Sequence, residues 1–566
     1  MEACRLWENG KQSTFIGLEA VASITYNTTR SENTRCYFCK NKCLRTFIDV
    51  QTATKPAGWK PPAKTKVPLP EGATRLIIST CEKGQVENVD DMRGIKAGLD
   101  AVKKANPNLV ELQAKAAFRP TNAPLVADPL PKRAFTKTQK HRRALMERRQ
   151  EIKIGLARVL NMYSTGPFWM AYFESLGLQP ENLIWSDYTS EQLYKEGAKR
   201  GAIDPCFPSK VGIPHVHNLL YVLHPKKKFD YIFFPMIDDL TTDLVHIQDT
   251  RSCPTVSATP AAVKAAFTKE GNVFVEKGVL YLDPIVNMSQ PGLIARQMFE
   301  TFEKLLGLSY EENLRAIGEA YKALDVFNNV TLRGTGREVL DQLIREDKVG
   351  IVLLARPYHA DPGINHEILE EFQKLGYPVF AQDSLPIDDD IIWQLFAEDV
   401  EKSNGEIDHP MDIRDVWKNS YSENTSRKVW TAKYVARHPN LVALELSSFK
   451  CGHDAPIYTV VEEIVEKAGT PYFCFKDIDE NKPTGSIRIR VETIGYFLKR
   501  YREDLVREKQ KRQKINEELA VLEAELRREI ESRLARGQSV GEEELAALAP
   551  PQAPPPPAIH AAAGDD

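Results

Sequence analysis

Seven of the nine cysteines in this 566-residue chain fall into two groups with the character of metal ligands. Cys36, Cys39 and Cys43 stand within eight residues, and Cys81 follows in the run Ser-Thr-Cys-Glu-Lys-Gly. Cys206, Cys253 and Cys451 are far apart along the chain, yet each has Pro or Gly beside it. Thiolate is the soft ligand that selects zinc or iron–sulfur clusters. A turn can wrap Cys36, Cys39 and Cys43 round one centre with Cys81 as fourth ligand, which permits structural zinc or a 4Fe–4S cluster. Zinc modules more often pair two CxxC knuckles, and the second is missing here, which favours the cluster. The order also differs from the CxxxCxxC of radical-generating SAM enzymes. For the distributed trio the bland alternative is three unrelated cysteines acting as small buried hydrophobes. Cys4 and Cys474 have no partners in sequence, and Cys474 lies in an apolar strand and reads as core.

A distributed trio needs a framework that brings it together. From residue 152 onward, short apolar runs alternate with helical stretches. Residues 152–156, 182–185 and 231–234 read as strands, and a second series runs 350–354, 377–380, 441–444 and 472–475. Continuous apolar runs of this length suit buried parallel strands. The expected fold class is α/β: two doubly wound, Rossmann-like lobes split near residue 335, with a small N-terminal cysteine-rich module and a C-terminal long helix. In such lobes the carboxyl ends of the strands share one crevice, so the three thiols can converge. Each thiol is expected between a strand and a helix. Cys206 would precede a helix starting near Lys210, and Cys253 one around residues 261–267. Cys451 would lie between a strand ending near Leu446 and a helix around residues 457–467. Helix N-termini carry partial positive charge, which favours thiolate and cluster. Three thiolates leave the fourth position of a 4Fe–4S cluster open to water, substrate oxygen or a second cluster, which suits reduction better than storage.

The remaining organisation follows composition. Residues 1–95 form the cysteine-rich module, and 96–150 a basic linker and helix. Residues 151–335 and 336–497 form the lobes, 498–540 a charged amphipathic helix, and 541–566 a disordered Pro/Ala tail. Residues 132–149 hold eight Lys/Arg against one acid, which reads as a solvated helix face or as a docking surface for an acidic partner. No RNA-binding signature accompanies them, so nucleic acid is not expected as a partner. Ile515, Leu519, Leu522, Leu526, Ile530 and Leu534 recur at steps of three and four, as a coiled-coil seam or a helix packed on the body. A net charge of -3 gives no pull toward nucleic acid or acidic lipid. No apolar run reaches membrane-spanning length, the first residues lack a signal-peptide core, and the cysteine count is odd, so a cytoplasmic, reducing location is expected.

Several segments in order carry a family resemblance. KIGLARVLNMYSTGPFWMAYFESLGL, DPCFPSKVGIPHVHNLL, DYIFFPMI and SCPT resemble the 2-hydroxyacyl-CoA dehydratase and benzoyl-CoA reductase subunit family, over residues 150 to 500. That family includes double-cubane-cluster reductases. The chain is still more similar to the carboxyl half of the large CoA-enzyme-activase-like (acyl-CoA dehydratase activase-related) fusion proteins. Those have segments like TRCYFCKNKCLRTFIDV, CEKG, LLARPYHADPGINHEI and DIDENKPTGSIRIRVETI. The resemblance implies a 4Fe–4S cluster on Cys206, Cys253 and Cys451, and a second 4Fe–4S cluster or zinc on Cys36, Cys39, Cys43 and Cys81. It also implies a homodimer or heterodimer and an acyl-CoA-like substrate, with one electron of very low potential delivered by ATP hydrolysis. The fusions place ATPase domains at the amino end. This sequence has no GxxxxGK(S/T) loop and no actin-like phosphate motif, so a separate ATP-dependent activator is expected as electron donor.

Four histidines stand near these motifs: His215, His217, His359 and His453. Histidines of this kind are commonly structural. His453, two residues from Cys451, is the candidate catalytic acid or supporting group. Residues 356–366, Arg-Pro-Tyr-His-Ala-Asp-Pro-Gly-Ile-Asn-His, follow a strand at a switch-point-like position and are candidates for a substrate pocket. The alternative there is a Pro/Gly turn entering a helix capped by Asn365. The alternative for the whole protein is a non-catalytic metal-binding scaffold with degenerate lobes.

Overall fold

The computed structural model describes residues 18–38, 43–51, 67–79, 81–201, 206–448, 450–539 and 541. Cys4, Cys39 and the Pro/Ala tail lie outside them. The chain divides into two compact units between Tyr496 and Phe497.

The first unit begins with an antiparallel sheet of β1 (Thr25–Thr29), β2 (Thr46–Gln51) and β3 (Ala73–Ile78), in that order. The alternation of β2 turns Phe47 and Asp49 to the covered face. Phe47 lies between the guanidinium groups of Arg45 and Arg75, 5.0 and 4.6 Å from its centroid. Arg75 in turn grips Asp49 with two bonds, at 2.7 and 2.8 Å.

Two parallel sheets follow. The first contains β4 (Ile154–Leu156), β5 (Leu183–Trp185), β6 (Tyr231–Phe233) and β8 (Leu280–Leu282), in the order β5-β4-β6-β8. The short parallel pair β7 (Met236–Asp239) and β9 (Ile285–Asn287) lies just beyond β6 and β8 in the chain. The second sheet contains β10 (Gly350–Leu354), β11 (Val379–Ala381), β12 (Leu441–Leu446) and β13 (Tyr472–Phe475), in the order β11-β10-β12-β13. β4, β10, β11 and β12 are buried at every position, as continuous apolar runs between helical layers should be. Numbered within each sheet, both orders read 2-1-3-4. The chain therefore reverses direction between the first and third strands of each sheet, which is where doubly wound folds hold ligands.

Helices cover both sheets. After β4, helix Met162–Ser175 buries Phe168, Trp169, Tyr172 and Phe173 completely. The Trp169 and Phe173 rings meet Phe233 of β6 edge-on at 5.2 and 5.5 Å. After β11, helix Glu423–Arg437 is buried over almost its whole length, including Glu423, Arg427, Lys428 and Lys433. No helix among the described residues is long and apolar enough to cross a membrane.

Some local expectations are revised. The Pro/Lys/Ala-rich segment read as a linker is built into the body. Helix Leu109–Ala116 buries Leu109, Val110 and Ala114, and the Pro107 carbonyl accepts a bond from Val379 of β11 at 3.0 Å. Composition marks such a segment as loop-like, but its apolar side chains find a core. Lys132, Arg133, Lys137 and Lys140 of the basic stretch are exposed, as a solvated face requires, and its four arginines from 142 onward pair internally. Arg142 pairs with Asp128 at 2.7 Å, Arg143 with Glu147 at 2.8 Å, and Arg148 with Asp230. Arg149 is buried on Glu312 at 2.5 Å. Cys474 is half-buried, because β13 is an edge strand. The C-terminal helix runs Thr484–Ala535 and starts earlier than expected. Ile487 and Val491 are buried there, and Arg490 stacks 3.9 Å from the Phe475 ring. In the second unit Ile515, Leu519, Leu522, Leu526 and Leu534 are exposed, and Ile530 is buried.

Candidate metal centres

In the N-terminal module the strand registers Thr29↔Phe47 and Thr46↔Ile78 put the end of β1, the start of β2 and the end of β3 together. Cys36, Cys43 and Cys81 therefore leave the sheet at one end. The Cys36 amide donates to the Cys43 carbonyl at 2.9 Å, and Arg35 bridges Leu44, closing a hairpin. Cys81 caps the short turn Glu82–Gln85. Arg45 fastens the two sides. Its Nε donates to the Thr34 carbonyl at 2.9 Å, and its Nη1 to those of Gly84 and Val86 at 3.1 and 2.7 Å. Cys36 is buried, and Cys43 and Cys81 are half-buried. Cys39 lies outside the described residues.

The distributed trio converges by a different route. Cys206 caps helix Phe207–Lys210 and Cys253 caps helix Pro254–Thr268. Helix Pro254–Thr268 packs on Phe207–Lys210 and on the helix that follows it, Gly212–His217, where a methyl group on Gly212 would come within 2.8 Å of Thr259 Cγ2. Cys451 follows β12 and opens a turn in which its carbonyl accepts from Asp454 and Ala455 at 3.3 and 3.1 Å. One detail differs from expectation: the helix after Cys206 starts at Phe207. Residues 202–205, where a preceding strand is expected, lie outside the described residues. The Phe-Pro pair after Cys206 explains the earlier start, since Pro suits the first helical turn.

The segment holding residues 420–425 joins the Cys253 and Cys451 loops. Arg251 donates to the Tyr421 carbonyl at 3.0 Å, and Asn161, after β4, donates to the Ser252 hydroxyl at 3.0 Å. Ser422 Oγ meets His453 Nδ1 at 3.2 Å. The three thiols lie near enough to sense one another. Burial, with smaller contributions from Cys451 and Cys253, pushes the Cys206 pKa up to about 11, while Ser209 pulls the other way. Burial also raises Cys451, reinforced by Asp454 and opposed by Arg356. Among the described residues the one group of three His, Cys, Asp or Glu ligand atoms within 4.8 Å of one another is His246, Asp408 and Asp412. The His246 group is largely exposed, and Arg414 binds its Asp412 at 2.6 Å.

Residues 356–366 complete the site. Tyr358 is buried, and its ring meets that of His359 at 5.0 Å. Burial first, then Cys206, Cys451 and Cys253, hold the Tyr358 hydroxyl neutral well above its ordinary pKa, against the pull of Arg356. Arg356 is 2% exposed and donates through Nη2 to Asp454 at 2.6 Å and to Thr425 at 3.0 Å. Burial opposes ionisation of Asp454, but Arg356 and Lys428 hold its carboxyl well below the usual range. Lys428, fully buried, binds Glu445 of β12 at 2.5 Å and Asp454 at 3.1 Å. Two cations and two carboxylates therefore cancel beneath the Cys451 turn. A cavity of about 20 Å³, lined by Arg356, Gln113, Gln382 and Asp383 among others, adjoins this loop and has room for one water.

The same loop seals against the first sheet's side. Asp361 accepts from Tyr163 at 2.7 Å and from the Thr189 hydroxyl at 2.8 Å. His215 bridges the Ser186 and Thr189 hydroxyls at 2.8 and 2.9 Å, and burial lowers its pKa to about 3. Gly363 meets Thr189 so closely that a Cβ would sit 2.3 Å from the Thr189 carbonyl oxygen. Helix Ile368–Lys374 is not capped by Asn365. Its first turn is preceded by His366 and Glu367, both left-handed (φ 56° and 59°), and Asn365 instead binds the Glu367 amide and the His359 carbonyl. His359 accepts from the Arg356 amide at 3.1 Å and is held neutral by burial, with a pKa of about 3. His217 stacks on Tyr221 at 4.5 Å. His453 is half-buried, and burial and Arg356 both lower its pKa, which favours the neutral ring.

Sequence reading named the 356–366 stretch but not Arg356 or Tyr358 singly, and it missed Lys428, Glu445 and Asp454. One signal was available: Glu445 is the lone acid in an otherwise apolar strand, and a buried acid demands a cation. The two parallel sheets, each with strand order 2-1-3-4 and covered by helices, define an α/β protein. Residues 153–385, from β4 to just beyond β11, match the family described as CoA enzyme activase uncharacterised domain. Over that stretch the chain is related to CoA-enzyme-activase-like proteins. No curated protein matches the sequence.

Proposed function

We propose that Cys206, Cys253 and Cys451 hold a 4Fe–4S cluster with one open position. The protein then carries out or relays one-electron reduction at low potential on an acyl-CoA-like substrate, with electrons from a separate ATP-driven activator. The observation that carries this reading is that the three thiol-bearing loops, remote in sequence, are tied together: the Cys206 and Cys253 helices pack on one another, and residues 421–422 bond to both the Cys253 loop and His453 of the Cys451 turn. The bound group would supply the electron and an open iron as Lewis acid. The chain's own contributions are separate. Tyr358 offers a neutral hydroxyl beside the sulfurs, the Cys253 helix turns its positive end to them, and the Asp361, Thr189 and His215 bonds close the first sheet against the second. Cys36, Cys39, Cys43 and Cys81 would hold a second 4Fe–4S cluster or zinc, and the family resemblance favours a dimer.

Anaerobic preparation tests the proposal. Iron and acid-labile sulfide should be present, and Cys206→Ala, Cys253→Ala or Cys451→Ala should each abolish one electron paramagnetic resonance signal. A colourless preparation carrying only zinc overturns it. The exposed apolar stripe of the second unit favours a further partner-binding role. Pull-down of a partner by the Cys206/Cys253/Cys451 triple alanine variant, with no iron-dependent activity in wild type, would replace the redox reading by that one.

A further inference from the structure

Arg356 holds more donors than its visible partners use. Both of its protein side-chain bonds leave through Nη2, to Asp454 at 2.6 Å and to Thr425 at 3.0 Å. Nε and Nη1 are buried and have no partner among the described residues. A guanidinium is a rigid, permanently charged fork, and leaving two of its donors empty in a residue only 2% exposed is costly. The carboxylate it meets does not need it alone. Asp454 also binds Lys428 at 3.1 Å and Ser447 at 2.5 Å. Cys451 lies three residues before Asp454 in the same turn, whose amide bonds run back to the Cys451 carbonyl. Arg356 is therefore clasped to the turn that presents a sulfur of the trio, with donors to spare.

We propose that Arg356 is a positioning residue for the anionic group held by Cys206, Cys253 and Cys451, donating through Nε and Nη1 to its sulfur. This rests on the cluster reading above. Hydrogen bonds to cluster and thiolate sulfur stabilise the reduced, more negative state and raise the reduction potential. Arg356 thus sets how reducing the centre becomes, while Asp454 and Lys428 fix the guanidinium in place. The nearby 20 Å³ cavity gives the competing account, in which one water takes the two donors.

The test is a redox titration of the full chain, prepared anaerobically and reconstituted with iron and sulfide, following the resonance signal that Cys206→Ala removes. Arg356→Lys keeps the charge and the Asp454 pair but loses the fork. The double variant Arg356→Gln with Asp454→Asn removes both charges together, so no buried ion is stranded if the single variant fails to fold. In both, iron content should match wild type. The reduced-to-oxidised ratio at the wild-type midpoint should fall about tenfold, a shift of about 59 mV to more negative potential for one electron. Normal iron with an unchanged midpoint in both variants overturns the inference alone and leaves the donors to the cavity water. Wild-type protein without iron overturns the cluster reading and this inference with it.

Discussion

In the N-terminal module, one three-stranded sheet and one arginine set where the sulfurs lie. Arg45 reaches three carbonyls on both sides of the cysteine hairpin, and nothing beyond the module is needed to bring Cys36, Cys43 and Cys81 to one end. At the distributed trio no such local device exists. Cys206 and Cys253 depend on two helices crossing without a side chain at Gly212, and Cys451 depends on a turn seated over four buried charges. The first arrangement is built mainly from contacts within the module. The second can exist only when both parallel sheets have formed and met, so its integrity reports the integrity of the whole first unit.

This contrast can be broken by substitution. The largest effect is expected from Lys428→Met, which takes the closest cation from buried Glu445 and leaves Asp454 to Arg356 and Ser447, and should cost about 3–5 kcal/mol in urea unfolding. Iron at the trio should be lost and metal at the N-terminal module retained. Loss at both sites together would end the distinction between them. Next, Arg45→Met should open the cysteine hairpin locally, by about 2–3 kcal/mol in amide exchange of residues 34–36 and 84–86. The global unfolding midpoint and the trio should stay unchanged.

A third expectation concerns pH. His215 titrates near 3 in the fold, below its ordinary 6.5. Above 6.5 both states are neutral and it contributes no difference. As pH falls below 6.5 the unfolded chain takes up the proton and the fold does not, so stability drops by about 1.4 kcal/mol per pH unit until the folded value is reached. At pH 5 this amounts to about 2 kcal/mol, and a His215→Gln variant should show a correspondingly shallower acid slope. An unchanged slope would mean that the seal at Thr189 does not exclude water. The smallest effect is expected at the seam between module and second sheet, where Glu82, beside Cys81, meets Lys374 at 3.0 Å and Arg488 at 3.1 Å. Glu82→Gln should cost under about 1 kcal/mol, because these partners are only partly buried.

Much of the frame was legible in residue order. The apolar runs at 350–354 and 441–444 located β10 and β12 because a strand covered on both faces has no polar alternation to disguise it. The close spacing of Cys36 and Cys43 likewise foretells their neighbourhood, and the Cys36 amide donates to the Cys43 carbonyl at 2.9 Å. Less could be read where meaning came from remote partners. Lys428 looks like any lysine on a charged helix, and only the return of β12 and the Cys451 turn supplies its carboxylates. Arg356 likewise carries no mark that two of its donors stay empty. The Cys206 helix starts earlier than its apolar pattern suggests for a local reason: Pro208 suits the first turn, so the helix begins at Phe207.

The contact at Gly363 has a consequence for inherited change. A side chain as small as one methyl would act as a shim between the halves that flank the sulfurs, its carbon 2.3 Å from a peptide oxygen that cannot step aside. The aperture there is fixed by an atom the chain does not have, and a substitution at that one position would widen it.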